Sequence, residues 1–276
     1  MAVPLDITGE VATRSAEESS ATRPSSVVEF GWKKPPDHVT ASSESNRQFP
    51  DEMAQPCLPD LPRILLPREN SKPLITTSSR YSEEALEAYK GLRTRLLKSQ
   101  ANQEFRSVVI TSVGRSDGKT LTAFNLACCC AQVENFTVLL IDSDLRTRSL
   151  TQLIGELPPV GLADVMSGTA SCEQAIVKTD EPNLYIMGAG SSDVPAPELF
   201  STEKWSQVIR WSRHRFKMVL VDALSIGAFA DFELIAPECD GILMVVRARN
   251  TSREDLKLAV EQLDPKRLIG IVWNGD

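Results

Sequence analysis

Histidine is scarce. His38 and His214 are the only two in 276 residues, which excludes a metal site built from several imidazoles. There is no excess of basic charge: 30 Lys+Arg against 37 Asp+Glu leave a net −7. That balance excludes a general binder of nucleic-acid backbones, which needs a basic face. Long apolar runs are missing too. After Lys119 the longest uncharged stretch covers residues 120–133; it is too short to span a bilayer and contains Asn125 and Gln132. Residues 1–10 lack the basic-then-apolar order of a secretory signal. The six cysteines are Cys57, Cys128, Cys129, Cys130, Cys172 and Cys239. Three are consecutive, which is neither a disulfide framework nor paired zinc spacing, so they read as small apolar side chains in a reducing compartment. These absences give the expectation of a cytoplasmic protein with no nucleic-acid partner and no membrane span of its own.

What is present is enough apolar content, 42%, to form a real core. Composition shifts near residue 78. Ten of the 17 prolines precede it, but only Gly9 and Gly31 of the 14 glycines. Repeated prolines interrupt helices, so residues 1–78 are expected to be a disordered Pro/Ser-rich extension and residues 79–276 the folded domain. Within the extension, residues 61–66 (LPRILL) are apolar; they either stay extended or dock on the domain or a partner.

A helix is expected over residues 82–100, with Leu86, Tyr89, Leu92 and Leu96 as its apolar stripe. From residue 107 strands and helices alternate. Residues 107–111, 137–141, 183–187, 217–221, 241–246 and 268–273 read as strands; residues 119–133, 203–213, 231–238 and 252–263 read as helices. The strands are continuous rather than alternating apolar runs, which means burial on both faces and a mainly parallel sheet covered by helices. Ligands of such sheets lie beyond the carboxyl ends of the strands.

Three loops at those ends carry chemistry. Residues 112–120 (SVGRSDGKT) follow a strand and open a helix. Gly118 lets the backbone approach a phosphate, and backbone N–H groups face the anion. Lys119 can reach β- and γ-phosphates and the Thr120 hydroxyl can ligate Mg²⁺. The glycine expected five positions before Gly118 is replaced by Val113. The second loop begins Asp142-Ser143-Asp144-Leu145-Arg146, two carboxylates that share a crevice and suit Mg²⁺ or its waters. Asp142 could accept a hydroxyl proton. The third loop opens with Asp222 at the end of Met218-Val219-Leu220-Val221, a position suited to holding Mg²⁺ through its bound waters.

In this order the loops resemble the bacterial tyrosine kinase (BY-kinase) family, within the deviant phosphate-loop ATPases, over about residues 80 to 276. Glu87-Ala88-Tyr89-Lys90-Gly91-Leu92-Arg93-Thr94 is similar to the family's Glu-Ala-Tyr-Arg-x-Leu-Arg-Thr, and residues 142–146 to its Asp-x-Asp-x-Arg. Residues 161–168, 195–200, Asp240-Gly241, Arg247, Thr251 and Asn274 also fit. The resemblance implies a three-layer P-loop NTPase fold, ATP and Mg²⁺ as cofactors, and transfer of phosphate to tyrosine in the control of extracellular polysaccharide synthesis and export. It implies nucleotide binding by Gly114, Arg115, Ser116, Asp117, Gly118, Lys119, Thr120 and Leu121 with Arg146 and Asn274. Catalysis falls to Lys119, Asp142, Asp144 and Asp222, and the metal to Thr120, Asp142 and Asp222. It further implies a separate membrane polysaccharide co-polymerase as adaptor, which would recruit the chain to the inner membrane face. A homo-oligomer would form through the helix bearing Glu87, Lys90 and Arg93.

The chain also departs from the family pattern. No tyrosine follows Tyr185, the third loop reads Asp222-Ala223-Leu224-Ser225 in place of Asp-Thr-Pro-Pro, and Asp117 adds a carboxylate to the phosphate loop. Two readings stay open: a kinase acting on Tyr89, a partner's tyrosine or another chain, and a non-catalytic ATP-binding regulator. A partitioning-type ATPase is further away, because Gly114 stands where that class has its signature lysine.

Overall fold

The computed structural model describes residues 28–32, 61–67, 83–103, 105–155 and 157–275. The continuous apolar runs form the centre of one sheet. In chain order the elements are β1 (Val28–Trp32), β2 (Arg63–Ile64), α1 (Glu83–Gln103), β3 (Ser107–Ser112), α2 (Lys119–Ala131), β4 (Val138–Asp142), α3 (Ser149–Ile154) and α4 (Leu162–Ser167). They continue with β5 (Ile176–Thr179), β6 (Leu184–Met187), α5 (Ala196–Phe200), α6 (Glu203–Arg215), β7 (Met218–Asp222), α7 (Asp231–Ile235), β8 (Gly241–Arg247), α8 (Arg253–Glu261) and β9 (Leu268–Asn274). Among the described residues the sheet has nine strands, ordered β1-β9-β8-β3-β7-β4-β6-β5-β2. The pairings are parallel except β1 with β9 and β5 with β6.

Every residue of β3, β4 and β7 is buried. Their alternate side chains feed two separate cores, one per face. Val108, Ile110, Leu140 and Leu220 pack with Leu92, Leu96 and Phe124 of α1 and α2. Val109, Ile141, Val219 and Val221 pack with Trp205, Val208 and Ile209 of α6. This is the three-layer P-loop arrangement. The stripe of α1 is Ala85, Tyr89, Leu92 and Leu96, all at most 2% exposed; Leu86 is only half-buried. The cysteine triplet of α2 is wholly buried, in keeping with small apolar packing.

Two short pieces lie inside the span that composition assigns to the extension. Residues 28–32 add antiparallel to β9, with Val28 opposite Asn274. Residues 63–64 add parallel to β5; Leu66 is buried and its N–H donates to Asp180 at 2.9 Å. For residues 61–66 the structure shows the docking that their apolar run left open; for residues 28–32 the proline-rich composition around them gave no sign of a strand. Residues 1–27, 33–60 and 68–78 lie outside the described residues. Among those described, no helix is long and apolar enough to cross a membrane.

Candidate active site

β3, β7 and β4 are adjacent and parallel, so their carboxyl ends open onto one crevice. The register sets Asp142 directly opposite Asp222.

The phosphate loop joins β3 to α2. Its base is tied to the third loop: the Ser112 hydroxyl donates to the Gly114 carbonyl at 2.7 Å, and Ser225 donates to the same oxygen at 3.0 Å. Its tip depends on two left-handed residues, Ser116 (φ 66°) and Gly118 (φ 92°). A side chain at Gly118 is also barred by space. Its Cβ would lie 2.1 Å from Nδ2 of Asn274, which donates to the Asp117 carbonyl at 2.9 Å. The Asp117 carboxylate is turned back into its own loop, where it accepts the Gly114 N–H at 2.7 Å. Burial raises its pKa; the Gly114 N–H, Arg247 and Lys119 oppose that shift. Leu121 packs its side chain on the core. Arg115 is exposed.

The acids gather around Lys119. Its Nζ stands 3.8 Å from Asp144, which is itself held by the Thr147 N–H at 2.8 Å, the Thr147 hydroxyl and the Ser149 hydroxyl. Asp142 is wholly buried; one oxygen accepts the Thr151 N–H at 2.9 Å and the Thr151 hydroxyl at 2.7 Å, and the other has no hydrogen-bond partner. Both oxygens of buried Asp222 lack one. Desolvation therefore dominates: it pushes Asp142 up to about 6 against the Thr151 bonds. It pushes Asp222 up to about 8, with Lys119 and Thr120 pulling down and Asp142 pushing further up.

Three buried carboxylate oxygens without partners beside a lysine and a helix N-terminus suit a cation shared with phosphate. Among the described residues no three His, Cys, Asp or Glu form a closed metal cage. Thr120, Asp142 and Asp222 could supply part of a Mg²⁺ shell whose remainder is phosphate and water, as this ion prefers.

Four residues here escaped the sequence reading. Thr151 orients Asp142, and Ser225 braces Gly114. Asp231, 1% exposed, receives Arg146 on both oxygens at 2.8 and 3.1 Å. Phe229 lies under Arg146, 4.4 Å from guanidinium carbon to ring centroid. In sequence Asp231 looks like an ordinary acid opening a helix; its burial carries no local signature.

No family model matches the chain. Tyrosine-protein kinase YwqD of Bacillus subtilis is 32% identical over 192 residues, 68% of this chain and 80% of that protein. The kinase domain of Escherichia coli tyrosine kinase ETK is similar in fold, with a TM-score of 0.66 at 24% identity over 70% of this chain and 76% of the other. The septum site-determining protein MinD of Pyrococcus horikoshii, solved with Mg-ADP, shares the fold with a TM-score of 0.50 at 23% identity over 60% and 67%. By its likeness to YwqD, the chain belongs to the bacterial tyrosine-protein kinase family.

Proposed function

We propose that the chain transfers the γ-phosphate of ATP to tyrosine hydroxyls. The observation that carries this reading is the set of unpartnered carboxylate oxygens on Asp142 and Asp222, next to Lys119 at the start of α2. The α2 N–H groups and Lys119 bind the β- and γ-phosphates. Thr120, Asp142 and Asp222 are the residues that would hold Mg²⁺, which when bound neutralises developing phosphate charge. Asp142 accepts the phenolic proton of the acceptor; a carboxyl near 6 is ionised at neutral pH and still a competent base. Asp144 orients Lys119. Asn274 secures the loop tip through Asp117.

Among the described residues the chain offers no accessible acceptor tyrosine. Tyr89 and Tyr185 are 2% and 8% exposed, so neither offers its hydroxyl to a kinase in the folded chain. The expectation that Tyr89 serves as an acceptor is corrected on that ground: its ring belongs to the α1–α2 core. Tyr81 lies outside the described residues.

The biological setting we propose is control of extracellular polysaccharide synthesis and export from the cytoplasm, with a separate membrane co-polymerase as adaptor and a homo-oligomer of kinase chains. On α1, exposed Glu87 and half-buried Lys90 pair with each other at 2.7 Å. Arg93 donates to the Cys129 carbonyl of its own chain at 3.0 Å, so any oligomer contact through it shares that bond.

The third loop, Asp222-Ala223-Leu224-Ser225, supports the second reading, a nucleotide-binding regulator without transfer. One assay separates the two: ATP binding by titration, followed by phosphotyrosine on an added tyrosine polymer with Mg²⁺, with and without the adaptor's cytoplasmic segment. Binding and transfer support the kinase. Binding alone leaves the regulator, and no binding contradicts both.

A further inference from the structure

The three loops of the site meet a second time, at Phe229. This half-buried ring belongs to the loop after β7. The guanidinium of Arg146, from the second loop, lies 4.4 Å from its centroid, and that of Arg115, from the phosphate loop, 5.5 Å. Arg146 is fixed by its two bonds to Asp231. Those bonds use Nε and Nη2, leaving Nη1 without a hydrogen bond among the described residues. Arg115 is exposed and pairs with no acid among the described residues. Two guanidiniums thus converge on one ring at the mouth of the site, in a chain whose net charge is −7. Each is attracted by the ring face, but they repel one another, and an anion beside them relieves that repulsion. The α2 N-terminus and Lys119 already face the phosphates from inside the crevice, whereas Arg115 faces outward.

We propose that Arg115, Phe229 and Arg146 form the docking site for the acceptor, and that it selects a tyrosine flanked by acidic residues. The phenol ring packs beside Phe229, and the neighbouring carboxylates pair with Arg115 and the free edge of Arg146. Asp231 is a positioning residue: it acts through Arg146. The inference rests on the kinase reading above and adds its substrate class.

The test compares two peptides that differ only in having Glu or Gln on both sides of one tyrosine. The ratio of their kcat/KM values is measured within each variant, so any change in ATP handling cancels. The wild type should prefer the Glu peptide by about fivefold, the size of one good exposed ion pair. R115Q should bring the ratio toward one. R115E should invert the ratio and favour the Gln peptide; the residue is exposed, so its exchange spares the core. An equal ratio in the wild type overturns the proposal. So does a preference that survives R115E while the KM for ATP rises, which would give the stack to the nucleotide. Phosphorylation of neither peptide by the wild type overturns the kinase reading itself, and the proposal with it.

Discussion

Asp142 and Asp222 stand opposite one another at the ends of two neighbouring parallel strands, both fully buried, and Asp222 without a hydrogen bond on either oxygen. Two carboxylates so placed cannot both ionise cheaply. Lys119 pulls Asp222 the other way, and a divalent ion bound beside both would do the same.

Stability should therefore respond to pH in an unusual direction. An unfolded aspartate titrates near ~3.9; Asp222 in the fold titrates at about 8. Between those values the folded chain holds a proton that the unfolded chain releases, so this group favours folding less and less as pH rises through the window. Melting temperatures of the wild type and D222N should diverge from pH 5 to pH 8, with D222N increasingly the more stable. Mg²⁺ with nucleotide should narrow the gap. A constant difference across that range would contradict the assignment.

Thr151 holds one oxygen of Asp142 by both N–H and hydroxyl, and the same hydroxyl accepts the Ala189 N–H at 3.2 Å. T151V keeps the backbone bond and loses the hydroxyl. Loss of such an outer partner costs about tenfold or more, expected here in kcat with the KM for ATP little changed. T151S should restore the rate. A valine variant with wild-type kcat would remove Thr151 from the site's working parts.

Much of this was legible in the sequence, and the limits have physical reasons. β3, β4, β7 and β8 announced themselves because burial on both faces leaves an uninterrupted apolar run. Lys119, Asp142 and Asp222 were legible because strand ends and phosphate-loop spacing are local patterns. Asp231 was not: its partner Arg146 is 85 positions away. β5 and the short helices α3, α4 and α5 have four to six residues each and are held by tertiary contacts rather than propensity. Leu86 was misplaced in the α1 stripe because Ala85 takes the buried position.

Gly118 is constrained twice, by φ 92° and by Asn274. G118A should abolish nucleotide binding in a titration while the sheet persists by circular dichroism. The double variant G118A/N274A removes the overlap but keeps the left-handed strain of about 1–2 kcal/mol, so it should recover only part of the affinity. Full recovery would show that space alone decides this position.

The most direct measurement follows labelled γ-phosphate in one reaction containing the protein, ATP, Mg²⁺ and a tyrosine polymer, and counts its arrival on tyrosine against its release as free phosphate. The label should accumulate on tyrosine, and K119M, which removes the lysine facing the phosphates, should lower that rate by at least about a hundredfold. Label found only as free phosphate, or a K119M variant that transfers as fast as the wild type, would contradict the account.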